Sequence, residues 1–185
     1  ILTLTGMVLV VLSLVPICIS EDMHLTLFTL SDSLPIFLHA DTLGKVFAVV
    51  IAFVWLVAGA YSFDYMAHEE NQKRYYGFYL CTLGVLMAVC FAGSIVTFYM
   101  FYEFMTLLTV PMVMHTGKKD AVAAGIKYLI YSVAGASLVL LGIFLMSPYV
   151  TSFSFTAGGV LDAGMVAGNE SFLLTVSFLM LLGFG

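Results

Sequence analysis

The sequence predicts an all-α membrane protein, a polytopic bundle of about six transmembrane helices in a single domain. Of its 185 residues, 62% are hydrophobic and only 9% are charged, whereas about a quarter of the residues of a soluble domain are charged. Several apolar runs approach or exceed the ~20 residues that a membrane-spanning helix needs. The polar residues are too few to cover a water-soluble globule, so the chain is expected to lie in a lipid bilayer.

Charge and cysteine content exclude several functional classes. The net charge is −5 and only six residues are basic, which leaves no phosphate-binding surface and predicts no nucleic-acid partner. Cys18, Cys81 and Cys90 lie singly in apolar runs, so neither a disulfide framework nor a metal site is indicated. No cofactor site is evident. Both ends of the chain lie in apolar sequence, and we therefore expect a piece of a longer protein.

The first two apolar segments flank an acidic stretch. The run at 1–20 lacks the basic start and the small-residue cleavage site of a signal peptide, which favours a span. Residues 21–41 include Glu21, Asp22, Asp32 and Asp41 but no Lys or Arg, and we expect a loop, with Asp41 capping the next helix. The predicted spans are 1–20, 42–61, 75–92, 94–115, 121–146 and 171–185.

The remaining connections differ in length and polarity. The stretch 62–74, SFDYMAHEENQKR, is the most polar part of the chain and is expected to be solvated. Glu69 and Lys73 are four residues apart and would pair on a helix. Gly93 and Ser94 leave a very short turn, which makes the third and fourth spans antiparallel neighbours. A Gly/Ser/Thr-rich loop is expected before the last span.

The basic residues supply a test of the span count. Lys73, Arg74, Lys118 and Lys119 lie in two connections, and the other three connections contain no Lys or Arg. Six spans place those two connections on the same side of the membrane. Because positive residues collect on the cytoplasmic side, this alternation predicts a cytoplasmic N-terminus.

Glu103 is the strongest candidate for chemistry. It lies within SIVTFYMFYEFMTLLTVPMVMH, about 18 Å along the helix axis from His115. A charged residue at the centre of a membrane helix costs roughly 2.5 to 3.5 kcal/mol on insertion scales and marks functional sites. The functional interpretation is a proton-relay carboxylate, and the alternative is a protonated acid that only holds two helices together.

Lys127 is the candidate partner. It lies about 9 Å from the cytoplasmic end of the fifth span. Its side chain either extends back to water or points inward, where it can approach Glu103 directly or through water. The sequence leaves these two alternatives open. An acid and a base in adjacent spans suit a proton path, because each changes the proton affinity of the other.

Polar backbone and hydroxyl groups lie between Glu103 and the cytoplasmic end of the same helix. Pro111 has no backbone N–H, so the carbonyl of Leu107 loses its helical partner. Thr106 and Thr109 add hydroxyl groups on the same turns. Such groups in a helix bundle attract ordered water, which predicts a wet route toward Glu103.

Four segments occur in a distinctive order: ADTLGKVFAVVIAF, YSFDYM followed by KRYYGFYL, FYEFMTLLTVPMV and AVAAGIKYLIYSVAGA. Together they resemble one family, the proton-conducting, antiporter-like membrane subunits of respiratory complex I, Mrp-type sodium/proton antiporters and membrane-bound hydrogenases. The resemblance covers roughly residues 40 to 185. Two positions depart from it, since Tyr102 stands where many members have Trp and Thr42 where Gly is usual. The chain also stops before the family's central Lys.

The resemblance implies a function and a larger architecture. Glu103 and Lys127 would form the entry pair of a half-channel, in a bundle of about fourteen helices built from two inverted repeats. The protein would be a non-redox subunit that moves protons or sodium ions, beside other membrane subunits of a complex in a prokaryotic inner membrane. No metal or cofactor is implied.

Two other classes remain open on sequence alone. A structural membrane subunit would use Glu103 and Lys127 only to hold the bundle together. A membrane enzyme or small-solute carrier would need a polar cluster at the interface, and the stretch 62–74 is the only candidate. That stretch lacks the spacing of a metal site.

Overall fold

The structure, a computed structural model, describes residues 2–21, 23–31, 34–69 and 71–184. Asp22, Asp32 and Glu70, which the sequence places in loops, lie outside the described residues, as do Ile1 and Gly185 at the ends of the first and last predicted spans. A helix occupies most of each of the six predicted apolar segments. The elements are α1 (Leu2–Ile19), β1 (His24–Ser31), β2 (Leu34–His39), α2 (Thr42–Tyr65), α3 (Gln72–Cys90), α4 (Ile95–Val113), α5 (Lys119–Met146), α6 (Ala163–Val166) and α7 (Glu170–Phe184).

Three helical segments are long and apolar enough to cross a membrane, judged by length and composition. They are Thr42–His68, Ile95–Val113 and Lys119–Tyr149, which extend α2 and α5 through short 3-10 turns. The apolar parts of α1 and α7, Thr3–Ile19 and Glu170–Phe184, are shorter. The predicted helical membrane protein is therefore confirmed in outline, and the count of six spans stays a prediction.

The loop predicted at 21–41 is wrong, and the chain, although mostly helical as predicted, also contains a small β-sheet. Strands β1 and β2 form a two-stranded antiparallel sheet in which His24 pairs with His39 and Ser31 with Leu34. The acidic residues favour a solvated loop. However, the sequence HLTLFTLS of β1 largely alternates polar and apolar residues, which is the period of a strand.

Backbone bonds to the α3–α4 connection hold this hairpin against the helices. The His39 N–H donates to the carbonyl of Phe91 at 2.6 Å, and the Gly93 N–H donates to the carbonyl of Phe37 at 3.1 Å. The Phe37 ring occupies the space where a side chain at residue 93 would begin, so only glycine fits there. Residues far apart in sequence thus fix where the hairpin packs against the helices.

The polar stretch 62–74 is shorter than expected because helices enter it from both sides. Helix α2 runs four residues beyond its predicted end. In this extension, the carbonyl of buried Ser62 accepts a hydrogen bond from the hydroxyl of Tyr76 at 3.1 Å. Asn71 then takes a left-handed backbone, φ 58°, before α3 begins. Because Glu69 and Lys73 lie on opposite sides of this break, the helical ion pair predicted for them does not form in the described structure.

Helices α1, α2 and α3 enclose a core of buried apolar side chains. Trp55 and Tyr79 stack at a centroid distance of 4.8 Å, and the Tyr79 hydroxyl donates to the Trp55 carbonyl at 2.6 Å. Met7 fills the space left by Gly59. Other buried members include Leu14, Ala48, Ala52, Leu83, Met87 and Phe91.

The predicted helix cap at Asp41 is confirmed and yields a stability prediction. Its Oδ1 accepts from the Gly44 N–H at 2.7 Å. We expect Asp41→Ala to lower the free energy of unfolding by about 1 kcal/mol, because it leaves that donor unsatisfied. Asp41→Asn is the control and should keep the stability, since Asn caps equally well. Denaturation of the full-length protein in detergent measures both, and equal losses would contradict the cap.

Candidate functional site

The site is built on α4, which begins and ends at defined residues. The Ser94 hydroxyl accepts from the Thr97 N–H at 3.1 Å and caps the first turn. Pro111 lies in the last turn, and the backbone N–H of Met114 closes the helix on the carbonyl of Val110 at 3.0 Å. Helix α4 packs between α3 and α5. Its two neighbours therefore fix which of its faces is open.

Glu103 projects into a cavity of about 740 Å³ between the hairpin, α4 and α5. Its side chain is half-buried, and its Oε1 is buried without a hydrogen-bond partner among the described residues. The other wall residues are almost all apolar, and they include Ile36, Leu107, Ile143 and Phe153. A buried acceptor without a partner costs roughly 1 to 3 kcal/mol. This arrangement therefore favours a carboxyl group that carries a proton or accepts a hydrogen bond from a transient donor.

Lys127 lies nearer the α4–α5 turn than Glu103 does. A hydrogen bond of 2.9 Å between the hydroxyls of Thr109 and Tyr128 aligns the two helices at that level. Glu103 is six residues from Thr109, so Glu103 and Lys127 differ by about 10 Å along the helix axes. The Lys127 side chain is exposed, and no ion pair joins the two in the described part of the chain. The structure therefore does not bring them into direct contact.

Four residues with hydroxyl groups are linked near Glu103 in sequence, one pair through their hydroxyls and the others through backbone carbonyls. We call them the hydroxyl stripe: Tyr102, Thr106, Thr109 and Tyr128. The Thr106 hydroxyl donates to the Tyr102 carbonyl at 3.1 Å, and the Thr109 hydroxyl donates to the Thr106 carbonyl at 2.8 Å. At its other end, the Tyr102 hydroxyl donates to the carbonyl of Phe184 in α7 at 3.1 Å. The stripe thus runs from the end of α7 to Tyr128 in α5.

The sequence reasoning identifies only part of this stripe. Thr106 and Thr109 are expected near the path, whereas Tyr102 and Tyr128 have no role assigned from sequence. A signal is present, because Tyr102, Thr106 and Thr109 follow the i, i+4, i+7 spacing of one helix face. The partner residues on α5 and α7 require the tertiary structure.

The polar residues near the ends of α3 and α4 have a structural role. The Arg74 guanidinium donates to the carbonyl of His115 at 2.7 Å, and the edge of the His115 ring meets Tyr75 at 5.4 Å between centroids. His115 is buried. Within the described ranges, no group of three or more His, Cys, Asp or Glu residues is placed to hold a metal ion. The contacts therefore join α3 to α4.

Two family models match the chain. Residues 92–185 match the model described as NADH:quinone oxidoreductase/Mrp antiporter, TM. Residues 28–76 match the model described as NADH-Ubiquinone oxidoreductase (complex I), chain 5 N-terminus. The two matches are in the order of the chain, and the first includes Glu103, Lys127 and the whole hydroxyl stripe.

Individual relatives are more distant in sequence. A Na(+)/H(+) antiporter subunit of Bacillus subtilis is 20% identical over 156 residues, which are 81% of this chain and 30% of the relative. An NADH-quinone oxidoreductase subunit of Moorella thermoacetica is 28% identical over 147 residues, which are 78% of this chain and 30% of the relative. The chain thus spans about a third of the length of these curated relatives.

Solved structures share the fold. The membrane-bound sulfane sulfur reductase, an archaeal respiratory membrane complex, superposes with a TM-score of 0.69 over 98% of this chain and 37% of its own, at 18% identity. The Mrp complex from Dietzia sp. gives a TM-score of 0.65 over 98% of this chain and 34% of its own, at 16% identity. The described helices and hairpin therefore have counterparts in larger membrane assemblies.

Proposed function

Because the chain belongs to the NADH:quinone oxidoreductase/Mrp antiporter transmembrane family, we propose that it is part of a membrane subunit that translocates protons, or exchanges sodium ions for protons. The observation that carries this proposal is Glu103, a carboxyl group in an apolar cavity whose Oε1 has no hydrogen-bond partner in the described structure. A group of this kind is expensive at membrane depth and is retained where a proton moves.

Glu103 takes up a proton from one side and releases it toward the next acceptor. When it is protonated, the group is neutral and suits the apolar cavity. When it is ionised, it attracts a cation or a proton, because the cavity offers little solvation. This alternation lets one carboxyl group pass protons in steps rather than bind them permanently.

Lys127 serves as the cationic member of the relay. It is exposed near the α4–α5 turn, where it exchanges protons with water and changes the field at Glu103. Since the two residues differ by about 10 Å along the helix axes, their coupling passes through intervening groups. Loss of either residue should therefore impair transport.

The larger context is proposed from the family and from the relatives' printed names. We place six spans in a prokaryotic inner membrane with the N-terminus in the cytoplasm, within a longer inverted-repeat subunit. Its partners are lipid, other membrane subunits of a multisubunit complex, and protons or sodium ions. The electron chemistry of any such complex lies in other chains.

A structural pair that merely holds the bundle together is less well supported. That alternative needs contact between Glu103 and Lys127, and the part of the chain that the structure describes contains no such ion pair. An enzyme site in the stretch 62–74 is likewise unsupported, because the contacts of Arg74 there join α3 to α4.

Ion transport by the full-length protein with its companion subunits tests the proposal. Proteoliposomes loaded with a pH-sensitive dye should show proton flux, and a sodium gradient imposed on them reveals whether sodium drives that flux. Vesicles without the protein are the control. A correctly assembled complex that moves neither protons nor sodium would overturn the proposed function.

A further inference from the structure

We propose that three hydroxyls of the stripe, those of Thr106, Thr109 and Tyr128, conduct protons between the Lys127 end of the bundle and Glu103, and that Tyr102 positions the stripe. This inference rests on the proposed function and adds the route by which the relay works. Among the described residues, the bonds from Tyr128 to Thr109 and from Thr109 to the Thr106 carbonyl cover part of the axial gap of about 10 Å between Lys127 and Glu103.

The hydrogen bonds of the stripe have a definite direction. Thr109 Oγ1 donates to the Thr106 carbonyl at 2.8 Å, so its single proton is already used. The bond of 2.9 Å between Thr109 Oγ1 and the Tyr128 hydroxyl then has Tyr128 as its donor. The tyrosine hydroxyl therefore points its proton into the bundle, toward Thr109.

The proton moves along the stripe by exchange at each oxygen. The Tyr128 hydroxyl gives its proton to Thr109 Oγ1 and receives another from the side of Lys127, so no hydroxyl gains or loses a net proton. Thr109 passes its own proton on when its hydroxyl turns from the Thr106 carbonyl toward the next acceptor. The direction of net proton movement depends on the groups at the two ends, near Lys127 and at Glu103, and not on the stripe itself.

Two features bridge the remaining distance to Glu103. Thr106 lies three residues from Glu103, an axial rise of about 4.5 Å, which one water molecule spans. Pro111 has no N–H for the carbonyl of Leu107, and Leu107 lines the same cavity as Glu103. This carbonyl is an acceptor that orients such a water.

Tyr102 connects the stripe to helix α7. Its hydroxyl donates to the carbonyl of Phe184 at 3.1 Å, and the two rings meet edge to face at 5.2 Å. Tyr102 directly precedes Glu103 in α4. We therefore assign Tyr102 the role of a positioning residue that fixes the end of α7 against α4.

The test compares transport by full-length Tyr128→Phe and Thr109→Val variants with the wild type. Each should lower the rate by about tenfold, less than the ~10² typical of a direct proton-transfer group, because water partly replaces a lost hydroxyl. Both substitutions break the same hydrogen bond, the one between Thr109 and Tyr128. The double variant should therefore transport no more slowly than the slower of the two single variants. Thr109→Ser restores the hydroxyl and should recover the rate.

Controls separate this route from the overall function. Tyr131→Phe removes a hydroxyl from an exposed side chain on the same helix and should leave transport unchanged. The solvent deuterium isotope effect on the rate should change in Tyr128→Phe but not in Tyr131→Phe, a readout that packing alone would not move. If Glu103→Gln stops transport while Tyr128→Phe and Thr109→Val leave both rate and isotope effect unchanged, the stripe is overturned and the proposed function stands. If Glu103→Gln has no effect on transport, it is the relay itself that fails.

Discussion

Glu103→Gln in the full-length protein is expected to lower ion transport by about 10²-fold or more, the scale of a lost proton-transfer group. The amide has nearly the same shape as the carboxyl group but does not release and rebind a proton at neutral pH. The measurement is the initial rate of dye response in proteoliposomes. Glu103→Asp keeps the chemistry and should retain part of the rate.

The same variant should fold as well as the wild type. Glu103 Oε1 has no hydrogen-bond partner among the described residues, so replacing the carboxyl group by an amide of nearly the same shape breaks no hydrogen bond of that atom. Glu69→Gln, at an exposed position outside α3, is the matched control and should transport normally. Equal losses in the two variants, or a Glu103→Gln protein that fails to assemble, would count against a relay role.

Gly135→Leu is expected to lower the free energy of unfolding by about 1 to 3 kcal/mol, the usual cost of overpacking a close contact. A Cβ at Gly135 would lie 2.6 Å from the carbonyl oxygen of Gly183 in α7. The obstacle is backbone rather than a flexible side chain, so α5 and α7 must separate. Denaturation of the full-length protein with dodecyl sulfate in mixed micelles measures the change.

Gly84→Leu supplies the comparison for this substitution. A Cβ at Gly84 in α3 would meet nothing within 4 Å, so the same change should cost little there. Because Phe184 follows Gly183 directly, separation of α7 also lengthens the bond from Tyr102 to the Phe184 carbonyl. Gly135→Leu should therefore slow transport in addition, and a stable, fully active variant would contradict the α5–α7 contact.

The sequence is sufficient for features that depend on a single segment. The lengths of the apolar runs predict the bounds of the six main helices to within a few residues. They do so because a helix that crosses the hydrocarbon core needs about 20 apolar residues. Asp41 is identifiable as a helix cap from its position before an apolar run. Glu103 is identifiable as the functional candidate from the free-energy cost of a carboxylate in an apolar helix. Each of these inferences needs only the neighbours along the chain.

The hairpin shows where this reasoning fails. The acidic residues of 21–41 predict a loop, yet β2 pairs with β1 and bonds to Phe91 and Gly93. The position of the hairpin against the helices depends on backbone partners more than 50 positions away. Composition within the segment contains no information about those partners.

What only the tertiary structure decided is how the helices face one another. Lipid and the bundle interior are both apolar, so an apolar pattern alone does not reveal which side of a membrane helix is buried. The sequence consequently does not decide whether the Lys127 side chain extends back to water or points inward, and it assigns Tyr128 no role. The contacts of Thr109 with Tyr128 and of Tyr102 with Phe184 set the axial alignment. The sequence determined that Glu103 lies within an apolar helix, and packing determined which groups connect it to the rest of the protein.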